Sequence, residues 1–97
     1  SVEDGYQGAR LCALNLLAAL QAACGGNLDR VVRCVSVRGF VNCTPDFGDQ
    51  PKVVNGASDL FVEVFGEAGR HARTAIGVAS LPAGAAVEVD AVFEVAA

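Results

Sequence analysis

Cations are scarce in this chain: seven lysines and arginines face eleven aspartates and glutamates, leaving a net charge of −4 and a pI near 4.7. No basic stretch exists to track a phosphate backbone, so nucleic-acid binding is not expected. There is one histidine, His71, and no serine or cysteine at a recognisable nucleophile elbow, so no catalytic triad is legible. The four cysteines form no CxxC and no Cys/His cluster, which argues against a zinc site or any other metal centre. Neither a GxGxxG nor a P-loop sequence occurs, and no cofactor is expected. Long apolar runs are absent too. The nearest, Leu11 to Cys24, is broken by Asn15 and Gln21 and falls short of the roughly 20 residues a membrane span needs.

What the chain does have is apolar residues. They make up 53% of 97 residues, with 19% charged. That length is room for one domain, spanning 1–97, whose fold buries only about 60–65% of the unfolded surface. So much apolar surface exceeds what a thin core can hide, and some of it is expected to face other copies of the chain. Cys12, Cys24, Cys34 and Cys43 each sit in an apolar pattern with no leader peptide before them, so buried free thiols in a cytoplasmic protein are expected. The charge is lopsided. Residues 1–48 carry four acids and four bases, while residues 49–97 carry seven acids and three bases (3 − 7 = −4). Each cation of the second half can therefore be weighed singly.

Ser1 with Asp4 approximates a capping box and opens a helix. Leu11, Leu14, Leu17 and Leu20, with Ala18, Ala22 and Ala23, form its apolar stripe, and Gly25-Gly26 stops it. Val31 to Val41 is rich in β-branched residues and neither parity is polar, so it reads as a central strand with a bulge at Gly39. Asp49 and Pro51 start a second helix, which carries Val53, Ala57, Leu60, Phe61 and Val64 to a stop at Gly66 and Gly69. Thr74 to Ala79 is a short strand. Leu81-Pro82-Ala83-Gly84 is a turn. Val87 to Val95 alternates cleanly, with Glu88, Asp90 and Glu94 on the polar parity. The order α-β-α-β-β predicts an α+β layer with both helices on one face of the sheet.

Arg73 opens an apolar strand. A guanidinium there can grip a carboxylate with two parallel bonds, although a solvated arginine at a strand start is the plainer reading of its position. Glu88 lies one turn away, and a hairpin would bring the two side chains together, as an ion pair or as an anchor and a water-positioning carboxylate. Asn55, with Gly56 after it, sits inside the second helix, where neither residue is favoured; tight packing or a ligand contact would each account for that. His71 reads as a loop residue with a structural role.

Two stretches carry a resemblance. HisAlaArgThrAlaIleGlyValAla followed by LeuProAlaGlyAlaAlaValGluValAspAlaValPhe resembles the C-terminal signature of the Rid family, formerly YjgF and also called endoribonuclease L-PSP. AlaAlaCysGlyGlyAsnLeuAspArgValVal resembles the end of that family's first helix and the strand after it. ValValAsnGlyAlaSer and PheGlyGluAlaGlyArgHisAlaArg are closer to a less characterised branch than to the best-studied deaminases. The resemblance implies a chorismate-mutase-like α+β fold, assembled as a homotrimer with ligand clefts between subunits. It implies hydrolysis of enamines and imines such as 2-aminoacrylate to 2-oxo acids and ammonia, without a cofactor. Carried over by position, Arg73 would hold the substrate carboxylate, Glu88 the attacking water, Asn55 a place beside the cleft, and Ala75 a backbone contact where many members have cysteine. The family's N-terminal strands, with their tyrosine and serine, have no counterpart here. The expected partners are a small carboxylate-bearing enamine, imine or 2-oxo acid and further copies of the chain, with no nucleic acid and no membrane. The alternatives are a non-catalytic binding trimer and, disfavoured by the acidic balance, a ribonuclease.

Overall fold

The computed structural model covers residues 1–97. Its elements are α1 (Val2–Ala23), β1 (Val31–Asn42), α2 (Gln50–Phe65), β2 (Ala72–Val78) and β3 (Val87–Val95), with short 3-10 turns at Leu28–Arg30, Gly66–Gly69 and Pro82–Gly84. The Ser1 hydroxyl accepts from the Asp4 backbone N–H, closing the front of α1 as the sequence implies. Asp49 is the N-cap residue of α2 and Pro51 lies in its first turn, although the Asp49 side chain makes no capping bond.

The three strands are ordered β2-β1-β3, so β1 is central. It runs parallel to β2 and antiparallel to β3. A parallel neighbour needs a crossover connection, and α2 supplies it. The expected hairpin between β2 and β3 does not form: β1 lies between them. The connection instead passes over the end of β1. The Cys43 N–H donates to Val78 O at 3.2 Å, and the Asn42 N–H donates to Ala86 O at 2.9 Å. Asn42 Nδ2 adds a bond to Ala85 O at 3.2 Å. Skipping one strand requires a reach of only about 10 Å, which a short connection covers as readily as it makes a tight turn.

Both helices pack on one sheet face. From β1 come the buried Cys34, Val37 and Val41; from β3, Val87 and Val89. The buried stripe of α2 is Val53, Val54, Ala57, Leu60 and Phe61. The buried stripe of α1 is Ala9, Ala13 and Leu17, while Leu11 (59% exposed) and Leu14 (47%) point outward. The leucine stripe read from the sequence is thus turned partly away from the core. The cause is helix–helix approach. A Cβ on Gly56 of α2 would strike the backbone carbonyl of Tyr6 in α1, so the contact stripe must be built of small residues. Gly39 is not a bulge; the side chain of Val54 occupies the place its Cβ would take. The register shifts of β1 fall earlier, at Val31/Arg33 and Cys34/Ser36.

All four cysteines are free thiols; Cys24 and Cys34 are buried, while Cys12 and Cys43, also expected to be buried, are only half-buried. Burial pushes the Cys34 thiol up to about 11. The unfolded chain ionises this thiol nearer 9, so the neutral form is favoured by folding. The associated stability is present below pH 9 and is lost as pH rises towards 11. Urea midpoints should therefore fall between pH 9 and 11, and Cys34→Ala should flatten that decline; an equal decline in both proteins would contradict the assignment.

Candidate functional site

The rotation of α2 decides what meets what. With 3.6 residues per turn, seating Val53, Val54, Ala57, Leu60 and Phe61 on the sheet leaves two flanks. One flank faces α1: Tyr6 Oη donates to Asp59 Oδ2 at 2.7 Å, and Arg10 Nη1 donates to Glu63 Oε2 at 3.0 Å. The other flank carries Asn55 and Ser58, three residues apart, and overhangs the edge strand β2. On β2, Ala75 packs against the core and a Cβ on Gly77 would meet Gln50 of α2. Arg73 shares their parity and so points to the helical side.

A cleft of about 330 Å³ opens there, lined among others by Asn55, Ser58, Asp59, Arg70, His71 and Arg73. Arg73 Nη1 donates to Asn55 Oδ1 at 2.6 Å and lies 3.4 Å from Ser58 Oγ. Ser58 Oγ is 2.8 Å from His71 Nε2, and His71 Nδ1 is 2.6 Å from Gly69 O. A carbonyl only accepts, so Nδ1 carries the proton and, in the neutral ring, Nε2 accepts from the Ser58 hydroxyl. The His71 ring also sits edge-on to the buried Phe61, with centroids 6.2 Å apart.

The cations of the second half now separate. Lys52 pairs with Asp49 at 3.6 Å and Arg70 with Glu67 at 3.2 Å. Arg73 has no carboxylate within salt-bridge distance, and its polar contacts are two neutral side chains that occupy Nη1 alone. The Nε–Nη2 edge, the fork that matches a carboxylate, has no partner in the chain. The site is therefore a positioned guanidinium with an open edge, next to an oriented imidazole.

Of the residues expected to act together, Arg73, Asn55 and Ala75 share one face, and Arg73 and Asn55 touch. Glu88 does not join them. It lies on β3, of opposite parity to the buried Val87 and Val89, and is exposed. Arg73 is in register with Val37 and Glu88 with Phe40, on opposite sides of β1. The two are roughly 10 Å apart across the sheet and about 10 Å along it, on opposite faces. The geometric link between them rested on the hairpin, which does not exist. Sequence reasoning misses Ser58 and reads His71 as structural. The signal that finds them is spacing: Asn55 and Ser58 at i, i+3 on a helix, His71 and Arg73 at i, i+2 leading into a strand.

No group of three or more His, Cys, Asp or Glu side chains is assembled as for a metal ion, and no helix is long and apolar enough to cross a membrane. A larger cleft of about 540 Å³, lined by Cys43, Thr44, Gln50 and Gly77 among others, offers no charged group. It lacks the chemistry of the Arg73 site.

The family model described as "YjgF/chorismate mutase-like, putative endoribonuclease" matches residues 1–94, and the chain belongs to that family. Protein TCP17 of Trypanosoma cruzi is 57% identical over 95 residues, which are 97% of this chain and 59% of that protein. The crystal structure of Atu1372 from Agrobacterium tumefaciens, a protein of unknown function, superposes on all of this chain and on 62% of its own, with a TM-score of 0.98 and 46% identity. A "putative endoribonuclease" from Shewanella oneidensis matches 92% of this chain and 58% of its own, with a TM-score of 0.87 and 38% identity. This chain thus spans about three fifths of the length of these relatives.

Asn55→Asp places a carboxylate where Arg73 already donates. The resulting ion pair should reduce calorimetric affinity for a small carboxylate such as pyruvate at least tenfold without lowering the melting temperature. Unchanged affinity would show that Arg73 is not the anion site.

Proposed function

We propose that this protein is a Rid-like enamine/imine deaminase, releasing ammonia from 2-aminoacrylate-type intermediates and leaving a 2-oxo acid. The observation that carries this reading is Arg73: a guanidinium without an anionic partner, fixed by Asn55 and Ser58, with its two-pronged edge open to a cleft. The chemistry asks little more. The enamine tautomerises to an imine, water adds to the imine carbon, and C–N cleavage expels ammonia. Fixing the carboxylate and placing one water supplies the necessary orientation. Within one chain Glu88 is too far from Arg73 to place that water. In this proposal Glu88 comes from a second copy, so association completes the site.

Apolar surface supports such association. Ile76 (45% exposed) and Val92 (57%) lie on the sheet face that the helices leave bare, and Leu11 and Leu14 are open on α1. A homotrimer in the cytoplasm is part of the proposal, the compartment being in keeping with four free thiols. Light scattering should give about 30 kDa, three times the 9.9 kDa of one chain. A particle of one chain mass at micromolar concentration would remove Glu88 from the mechanism.

The function is tested by ammonia release from enzymatically generated 2-aminoacrylate, measured against buffer. The parent protein should accelerate it. Arg73→Lys keeps the charge but loses the fork and should raise KM at least tenfold; Glu88→Gln should lower kcat with KM little changed. Release at the buffer rate with the parent protein would refute the deaminase reading. Tight 2-oxo acid binding without acceleration would favour the non-catalytic binding trimer.

A further inference from the structure

The deaminase reading leaves two groups of the cleft unused, Ser58 and His71. We propose that Ser58 is a nucleophile for acyl transfer, with His71 as its base, acting on esters whose acyl group carries a free carboxylate. Four observations lead there. Ser58 Oγ and His71 Nε2 are 2.8 Å apart, within the range of a nucleophile and its base. His71 Nδ1 is held at 2.6 Å from Gly69 O, which fixes the tautomer so that Nε2 is the accepting nitrogen. The Gly69 carbonyl thus does for His71 what a third residue does in a triad, orienting the ring so that Nε2 faces Ser58. Asn55 spends its Oδ1 on Arg73, which turns its Nδ2 amide into a donor without a partner in the chain, three residues along the helix from Ser58. An amide donor so placed can receive the oxygen of a tetrahedral intermediate. Finally, Ser58, His71 and Asn55 are only half-buried, so the group is reachable from the cleft.

The steps balance without a cofactor. Ser58 Oγ forms a bond to the acyl carbon as its proton passes to His71 Nε2. The ester C–O bond breaks, and the imidazolium returns that proton to the departing alcohol oxygen. Water then adds to the acyl-serine, giving its proton to His71. The Ser58–acyl bond breaks, and Ser58 leaves with the proton from Nε2. One ester and one water become one acid and one alcohol. The free Nε–Nη2 edge of Arg73 selects the acyl group: a terminal carboxylate seated there leaves the ester carbonyl facing Ser58, as in a monoester of a small dicarboxylic acid. This activity shares Arg73 with the deaminase reading but does not rest on it, since enamine hydrolysis needs no covalent adduct.

The test uses mono-p-nitrophenyl succinate and, as a neutral comparison, p-nitrophenyl acetate. The purified protein should release a burst of nitrophenolate equal to one per chain. Intact mass should rise by one succinyl group, and peptide mapping should locate it on Ser58. Succinyl transfer should be at least tenfold faster than acetyl transfer, and Arg73→Gln should erase that preference. Ser58→Ala should abolish the adduct, and His71→Gln should slow its formation at least 100-fold. An unlabelled Ser58 in the parent protein, with the adduct absent or on Cys12, Cys43 or Lys52, overturns the proposal whatever the variants do. So does an acylation rate unchanged by His71→Gln. Ammonia release from 2-aminoacrylate in the same preparation reads the deaminase function separately.

Discussion

The packing of α2 onto β1 is the constraint from which the rest of the molecule follows. Val54 is fully buried and its side chain fills the place of the absent Gly39 side chain, so helix and strand meet at close range. Val53, Ala57, Leu60 and Phe61 are seated by the same contact. Fully burying the valine, leucine and phenylalanine side chains contributes about 1.5–3 kcal/mol each, more than any surface polar contact offers. Burial therefore sets the rotation of the helix, and the polar residues go where it sends them. Gly56, Asp59 and Glu63 turn towards α1, where Tyr6 and Arg10 meet them. Asn55 and Ser58 turn towards β2, where Arg73 and His71 meet them. The cleft is a consequence of hydrophobic registration before it is a piece of chemistry.

Charge pairing then gives the cleft its character. Arg10, Arg33, Arg38 and Arg70 each have a carboxylate within 4.0 Å, and Arg30 donates to the Ala96 carbonyl. Most of these pairs are exposed and contribute at most ~1 kcal/mol apiece, and Arg70–Glu67 is the one that lies beside the cleft. Asp59, the acid nearest in sequence to the Arg73 contacts on α2, is held by the Tyr6 hydroxyl. Arg73 is left with neutral partners in a chain of net charge −4. In an acidic protein the surrounding field disfavours anions in general, so an open guanidinium edge would accept only one that fits the fork.

Local features were legible in the sequence, and relations between distant segments were not. The Ser1 cap, the helix stops, the central position of β1 and the burial of two cysteines follow from patterns that span a turn or a strand. Membership of the family was legible from the segment around His71 to Phe93, whose order and spacing are preserved whatever the strands pair with. The pairing of β2 and β3 was not legible. A connection holding Leu81-Pro82-Ala83-Gly84 fits a tight turn and a step over one strand equally well, and only the competition for β1 decides between them. Both edges of β1 are satisfied here, one by each strand. The exposure of Leu11 and Leu14 was hidden for a related reason. Helical periodicity identifies an apolar stripe but not which stripe a second helix can approach, and the Tyr6–Gly56 contact admits only the alanine face.

The same step over β1 separates the two residues, Arg73 and Glu88, that the family resemblance places in one cleft. Arg73 and Glu88 sit on opposite edges and opposite faces of one three-stranded sheet. A single chain therefore holds a guanidinium, an amide donor, a hydroxyl and an oriented imidazole on its helical side, and a free carboxylate on its bare side. These are two groups of residues with different chemistry. The helical half is linked by internal bonds, guanidinium to amide, hydroxyl to imidazole and imidazole to carbonyl, and keeps the Arg73 Nε–Nη2 edge and the Asn55 Nδ2 amide free. The bare half has an exposed Glu88 beside Phe40 and close to the Arg38–Asp90 ion pair, and gains a dry environment only when another surface covers it. Covering that face would raise the energetic weight of Glu88 by lowering the local dielectric, while leaving the hydrogen-bond order around His71 unaltered. Of the two proposed activities, the one that needs Glu88 is thus tied to assembly, and the one that needs Ser58 and His71 is tied to the seating of α2 on β1.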